Sequence, residues 1–286
     1  MRPITPFICM SAVKSFLIMV FVLFTMKTAV GSDLTVDCSR EIPGPEKTKK
    51  LWMVNLTGIG IITAWGIYNW DYFETSPHAE SEGWFSDHTE EGGSDKIGHA
   101  YTSYVTAHGL SHLYASWCFS REQAALYGAL SSLSIMGYME LGDSFSSYGF
   151  SHEDLISNIL GCAFGYLTYT HQGLRDKIDF RWEYGFHPND PDFITDYDNS
   201  KHLLALKFSG FPATSRGWLK YLELHLGYYT RGFQDREDKN HRNLYAGVGV
   251  NLSKILRRNS FPRAARFLNY VQIPGTYMQF RKDLDD

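Results

Sequence analysis

Asp95, Lys96 and His99, then Glu140 and Asp143, then Asp154 and Asn158 are the residues whose types and spacing suit chemistry. Asp95 and His99 stand four apart, Glu140 and Asp143 three apart, and Asp154 and Asn158 four apart, so each pair shares one helix face. Four carboxylates, one imidazole and one amide suit a hard or borderline divalent metal, with His99 favouring zinc or manganese over calcium. The expected ligand set is Asp95, His99, Glu140, Asp143 and Asp154, with Lys96 and Asn158 in the surrounding polar network. Glu140 or Asp143 would then activate water in a catalytic role. Plainer uses stand beside this one. Asp95 and Asp154 fall in first helical turns, where carboxylates meet free amides favourably. Glu140 and Asp143 fall at a helix C-terminus, where the dipole disfavours each by roughly 0.3 to 1 kcal/mol. Lys96, a protonated His99, solvent or a cation must offset that cost. A dry network sharing one proton would use the same residues.

Three helices must bring these groups together. The first runs from Asp95 to about Trp117 with Ser94 as cap. The second starts at a capping box of Ser120 and Gln123 and ends near Leu141, and the third starts at Ser151 with Asp154 and ends near His171. Short connections make them run up, down and up, which places all the polar residues at one end of the bundle. Gly128, Ser131, Ser132, Gly137, Gly161 and Gly165 allow close backbone approach, and Leu51 to Tyr68 is an uncharged run that adds a fourth helix. His108 and His112 form an HxxxH pair, but they point away from His99 and have no acidic companion, so a hydrogen-bonded core role is expected.

After residue 172 the period changes. Leu222, Leu224, Leu226 and Tyr228 alternate with polar residues, as do Leu244, Ala246, Val248, Val250 and Leu252, which predicts a hairpin around the polar loop Arg231 to His241. His202 to Phe208 and Tyr270 to Phe280 are weaker strand candidates. The expected fold is α+β, mainly α: a compact bundle of about four helices, with membrane embedding left open, followed by a small antiparallel sheet of three or four strands.

Residues 1–31 read as a signal peptide, with Arg2 and Lys14 before an eleven-residue apolar run from Phe16 to Met26 and a small-x-small site at Ala29 to Gly31. Residues 32–50 read as a linker, 51–175 as the helical domain and 176–286 as the C-terminal region with the sheet. Cys38, Cys118 and Cys162 remain after cleavage, an odd number with no metal-ligand spacing, so no disulfide framework follows. Residues 69–95 are rich in aromatics and acids without Lys or Arg, and the plain reading is a solvated acidic loop. A net charge of -4 argues against nucleic acid as a partner, and the 15% aromatic content suits a membrane interface.

The order Asp95-Lys96-x-x-His99, Glu140-x-x-Asp143 and Gly149-Phe150-Ser151-x-x-Asp154-Leu155-x-x-Asn158-x-x-Gly161 resembles the YfiM-like family of predicted periplasmic lipoproteins, and more distantly VanZ-like membrane proteins. The likeness spans about residues 50 to 175. It implies a helical envelope protein and supplies no established reaction. Thr35-Val36-Asp37 before Cys38 departs from a lipoprotein acylation site. The expectation is an exported protein of the periplasm or envelope, partnered by a membrane surface or envelope proteins, in a structural or interaction role. The alternative is a metal-dependent hydrolase or transferase acting on a lipid or cell-wall component. A four-helix membrane domain is the rival to export.

Overall fold

The computed structural model describes residues 38, 42–185, 195–234 and 239–285. The expected signal peptide lies outside them. The first helix, α1, spans Gly44–Asn69. It starts within the stretch read as linker rather than at Leu51, because Pro45 suits the first turn, where backbone N–H groups lack partners, and Glu46 lies near Lys50 one turn on. Among the described residues it is the one helix long and apolar enough to cross a membrane.

The predicted bundle helices follow as α2 (Ser94–Ser116), α3 (Arg121–Asp143) and α4 (His152–Thr170). The capping box at Ser120 and Gln123 forms, and the Ser151 hydroxyl accepts from the Asp154 amide. Ser94 does not cap α2. The cap is Gly93 at φ 85°, and Ser94 lies inside the helix, its hydroxyl accepting from Thr230 at 3.0 Å. Small residues set the helix spacing: a Cβ on Gly161 would collide with the Ala100 carbonyl, so α2 and α4 pack backbone to backbone.

A short helix, α5 (Gln172–Arg175), leads into an antiparallel meander in chain order: β1 (Ile178–Tyr184), β2 (Ser200–Lys207), β3 (Leu222–Arg231), β4 (His241–Val250) and β5 (Tyr277–Asp283). Two further helices, α6 (Leu252–Arg258) and α7 (Pro262–Phe267), separate β4 from β5. The hairpin of β3 and β4 is as predicted. The sheet has five strands rather than three or four, and Tyr270 belongs to no strand. β1 alternates in sequence as Ile178, Phe180, Trp182 and Tyr184 against Asp179, Arg181 and Glu183, but its charged residues are the buried ones. The Arg181 guanidinium is accordingly buried and not on a basic surface. It lies within the sheet, donating to Glu223 at 2.5 Å and to Asp179 at 2.7 Å.

Tyr101 and Tyr104 of α2 pack against Phe180, and His202 stacks near Tyr101, so the sheet leans on the bundle at β1 and β2. Because the helices alternate direction, acids collect at one end, around the starts of α2 and α4 and the end of α3, beside the end of β3. Basic side chains collect at the other, around α5, α6 and α7.

Cys38 and Cys118 form a disulfide, a pairing that the odd count of cysteines did not suggest. Cysteine counting could not find it because the third thiol, Cys162, is buried between helices and leaves an odd total. A disulfide agrees with an oxidising compartment.

Candidate functional site

The cavity at the acidic end encloses roughly 440 Å³. Its walls include Trp65 and Asn69 of α1, Asp95 and His99 of α2, Glu140 and Asp143 of α3, and Asp154 of α4. The three antiparallel helices therefore bring the expected carboxylates and imidazole to one place, with Lys96 and Asn158 bonded just behind them. The loop between α1 and α2, read from sequence as solvated, supplies Trp70, Glu82, Glu90 and Glu91 to the same cavity. It is tied down by backbone bonds from Thr75 to Phe145, from His78 to Ser144 and between Glu80 and Phe150. Glu153 anchors it further, accepting from Ser81 at 2.5 Å and from the Gly83 amide at 3.2 Å. The signal for this role was the crowd of aromatics within an acidic loop, since a solvated loop has no use for several large rings. Tyr197 and Gln234, from the loops at the same end of the sheet, close the cavity and carry no sequence signal.

The site divides in two. Lys96 is 2% exposed, and its ammonium lies 2.6 Å from Asp95 and 3.0 Å from Asp154 and contacts Glu82. Glu82, Asp95 and Asp154 form a close trio of acidic oxygens, within 4.8 Å of one another, and the Lys96 charge fills their centre. Burial pushes the Glu82 carboxyl up to about 7, helped by the neighbouring Asp154 charge and opposed by Lys96. Asp154 is held below its usual range: burial acts to raise it, but His99 and Lys96 outweigh that.

In the second half, His99 Nδ1 stands 3.2 Å from Glu140 Oε1, and Nε2 stands 3.8 Å from Asp154 Oδ1. Burial by itself would lower the imidazole, yet the Glu140 and Asp154 charges raise it to about 10, so His99 is an imidazolium at neutral pH. Asn158 fixes Glu140 from behind, donating to Oε1 at 2.8 Å while accepting from Ser103 at 2.7 Å. Asp143 faces Tyr72, and burial together with the Glu140 charge pushes its carboxyl up to about 7. The Tyr72 ring is clamped between Gly66 and Gly142, where a Cβ on either glycine would strike it, and its hydroxyl donates to the Met139 carbonyl at 2.9 Å.

Glu91 is likewise raised to about 8, chiefly by burial, and its Oε2 is buried without a hydrogen-bond donor, as is Oδ1 of Asn69. The cavity thus has seven acidic side chains, from Glu82, Glu90, Glu91, Asp95, Glu140, Asp143 and Asp154, against the two cationic side chains His99 and Lys96. Outside the cavity, His108 is buried, with Nδ1 2.8 Å from the Tyr270 hydroxyl and Nε2 2.8 Å from Thr168 Oγ1. Burial lowers it to about 3, so it is a neutral core imidazole.

No curated protein and no solved structure matches this chain. Over residues 81–170, the stretch that holds the site from Glu82 to Asn158, the chain is similar to the family described as predicted periplasmic lipoprotein (DUF2279), a likeness that supports an exported, envelope-associated protein.

Proposed function

We propose that this envelope protein works as a binding module, holding a small organic cation such as an alkylammonium or guanidinium group in its acidic cavity. The observation that carries this reading is unpartnered buried polar atoms: Glu91 Oε2 and Asn69 Oδ1 line the cavity without hydrogen-bond partners, in a site where acidic side chains outnumber cationic ones, and a bound cation would draw the Glu91 carboxyl to its ionised, accepting form. Unpaired buried acceptors cost about 1 to 3 kcal/mol each, and a donor-rich cation would recover that. Trp65, Trp70, Tyr148 and Tyr197 add ring faces and edges beside the acids, which suits a cation partly stripped of water.

A divalent metal fits the same acids less well. Lys96 already fills the trio of Glu82, Asp95 and Asp154, and His99 would have to shed a proton that Glu140 and Asp154 hold on it before it could ligate. Metal-assisted hydrolysis or group transfer, with Glu140 or Asp143 activating water, is the second reading. It is favoured by one observation, the near-neutral Asp143 carboxyl beside a charged imidazole, a pairing typical of proton-transfer sites.

Thermal unfolding of the purified chain with spermidine, ethanolamine, guanidine at low concentration, zinc or magnesium separates the two. The binding reading expects stabilisation by at least one amine or guanidinium probe, reaching about 2.7 kcal/mol at a hundredfold excess over Kd, and its loss in Glu91→Gln. Stoichiometric zinc or manganese in the purified protein, lost in Glu140→Gln, with no response to the organic cations, would replace it with the metal reading.

A further inference from the structure

The sheet buries charged groups beside a small apolar cluster of Leu203, Ala205, Tyr229 and Tyr245, and leaves much of its other face apolar and exposed. On the face shared by Asp179, Arg181, Glu223 and His225 the charged groups are buried: Arg181 bridges Asp179 and Glu223, Lys207 contacts Asp179 at 2.5 Å, and His225 Nε2 lies 2.9 Å from Glu223. The opposite face carries Leu204, Leu224, Leu226, Leu244, Val248 and Phe280, and the antiparallel register makes it continuous, with Leu204 opposite Leu226, Leu224 opposite Val248 and Ala246 opposite Phe280. These side chains are exposed, Leu226 by 59% and Phe280 by 82%. A water-facing sheet alternates the other way, apolar in and polar out. Apolar-out, polar-in alternation is the pattern of strands that face lipid.

The apolar face continues an interface already present. At β1 and β2 it is covered by α2, through Phe180 and His202, and at Tyr228 and Thr230 by the loop before α2 and by Ser94; beyond them it is exposed at Leu224, Leu226, Leu244, Val248 and Phe280. An apolar groove of roughly 370 Å³, lined by Leu160, Phe164, Leu204, Leu226 and Leu244, joins it to α4, where Leu160 is exposed. Two segments at the end of this flank are basic. Residues 208–222 and 251–276 contain Arg216, Lys220, Lys254, Arg257, Arg258, Arg263 and Arg266 and no Asp or Glu. Trp218, 70% exposed, and Phe261, 59% exposed, stand among them.

From this juxtaposition we infer that the outward face of the sheet, with the acid-free basic segments at its end, is a monotopic seat on an anionic lipid leaflet. The acyl region takes Leu224, Leu226, Val248 and Phe280, the headgroup phosphates meet Lys254, Arg257 and Arg263, and Trp218 sits at the boundary between them, where amphipathic rings are favoured. Lipid fits this surface better than a second protein does, because the apolar side chains turn from the sheet through the groove onto α4, and a fluid medium follows such a contour.

The test is vesicle flotation of the chain as recovered from the envelope of expressing cells. The vesicles are of phosphatidylcholine alone, or of phosphatidylcholine mixed with phosphatidylglycerol. Binding should be stronger on the mixed vesicles and weaken with salt. Each basic side chain near an anionic surface contributes about fivefold, so the exposed triple variant K254A/R257A/R263A should lose on the order of 100-fold on the mixed vesicles. The separate variants Leu226→Ser and Trp218→Ser should lower the salt-resistant part of binding, with circular dichroism showing each still folded. Equal binding to both vesicle types, or a triple variant that binds like the parent, overturns the inference. So does a dimer in sedimentation that Leu226→Ser dissociates while flotation is unchanged, which would assign the face to a second copy.

Discussion

The Lys96 ammonium lies 3.0 Å from Asp154 Oδ1 across two helices, and both residues are almost fully buried. Asp95 and Glu82 complete its shell, so one cation joins α2, α4 and the loop before α2 at the back of the acidic cavity.

Removing that cation leaves buried carboxylates facing one another. Lys96→Met should therefore cost about 3 to 5 kcal/mol in urea unfolding, the range for breaking a buried pair by deleting one partner. Added magnesium should recover part of the loss in the variant and none in the parent, because only the variant has an open trio. A variant as stable as the parent would show that the trio is not under charge strain.

His99 sets a pH dependence of known sign. Its pKa rises from 6.5 in the unfolded chain to about 10 in the folded protein, so the native state holds a proton that the unfolded state loses first. The contribution is fully present below about pH 6.5, declines as pH rises, and is gone above about pH 10. Urea midpoints measured across this range should fall, and His99→Gln should flatten that part of the curve.

Asp143 acts in an earlier window. Its carboxyl ordinarily titrates at 3.8 and is raised to about 7 by burial and by Glu140, so it weakens the fold as pH climbs between those values. Asp143→Asn, which keeps the shape without the charge, should be more stable than the parent at pH 8 and no more stable at pH 4. A reversed order would mean that the ionised carboxylate is the form the site prefers.

Cys38 and Cys118 are 80 residues apart in sequence, so their bond restrains a large part of the unfolded chain. By loop-closure entropy, reduction or Cys38→Ser should cost about 4 to 5 kcal/mol. Unfolding with and without reductant measures it, and Cys38→Ser should be insensitive to reductant.

Gly161 lies where α4 meets the Ala100 carbonyl of α2. Gly161→Ala must push the two backbones apart and should cost about 1 to 3 kcal/mol, as overpacking does. Gly173→Ala, with open space around it, should cost less than about 0.5 kcal/mol, the usual range for surface substitutions.

Much of this protein was legible before any tertiary contact. Capping residues and short connections are local, so the order of α2, α3 and α4 followed from Ser120, Gln123 and Ser151, and that order by itself sends Asp95, Glu140 and Asp154 to one end. Alternation along β3 and β4 is equally local and gave the hairpin. What a side chain faces is not local. The sequence shows Leu224 and Leu226 alternating with Glu223 and His225, but period alone is blind to which set is buried, and here Arg181, on β1, decides it by pairing with Glu223. The same blindness hid β1, whose buried residues are charged. It also hid the Cys38 disulfide, the loop carrying Glu82 and Glu91 over the cavity, and the place of Lys96 among three carboxylates. Each of these joins segments far apart in the chain, where only packing in three dimensions determines which polar groups lose water and which partners replace it.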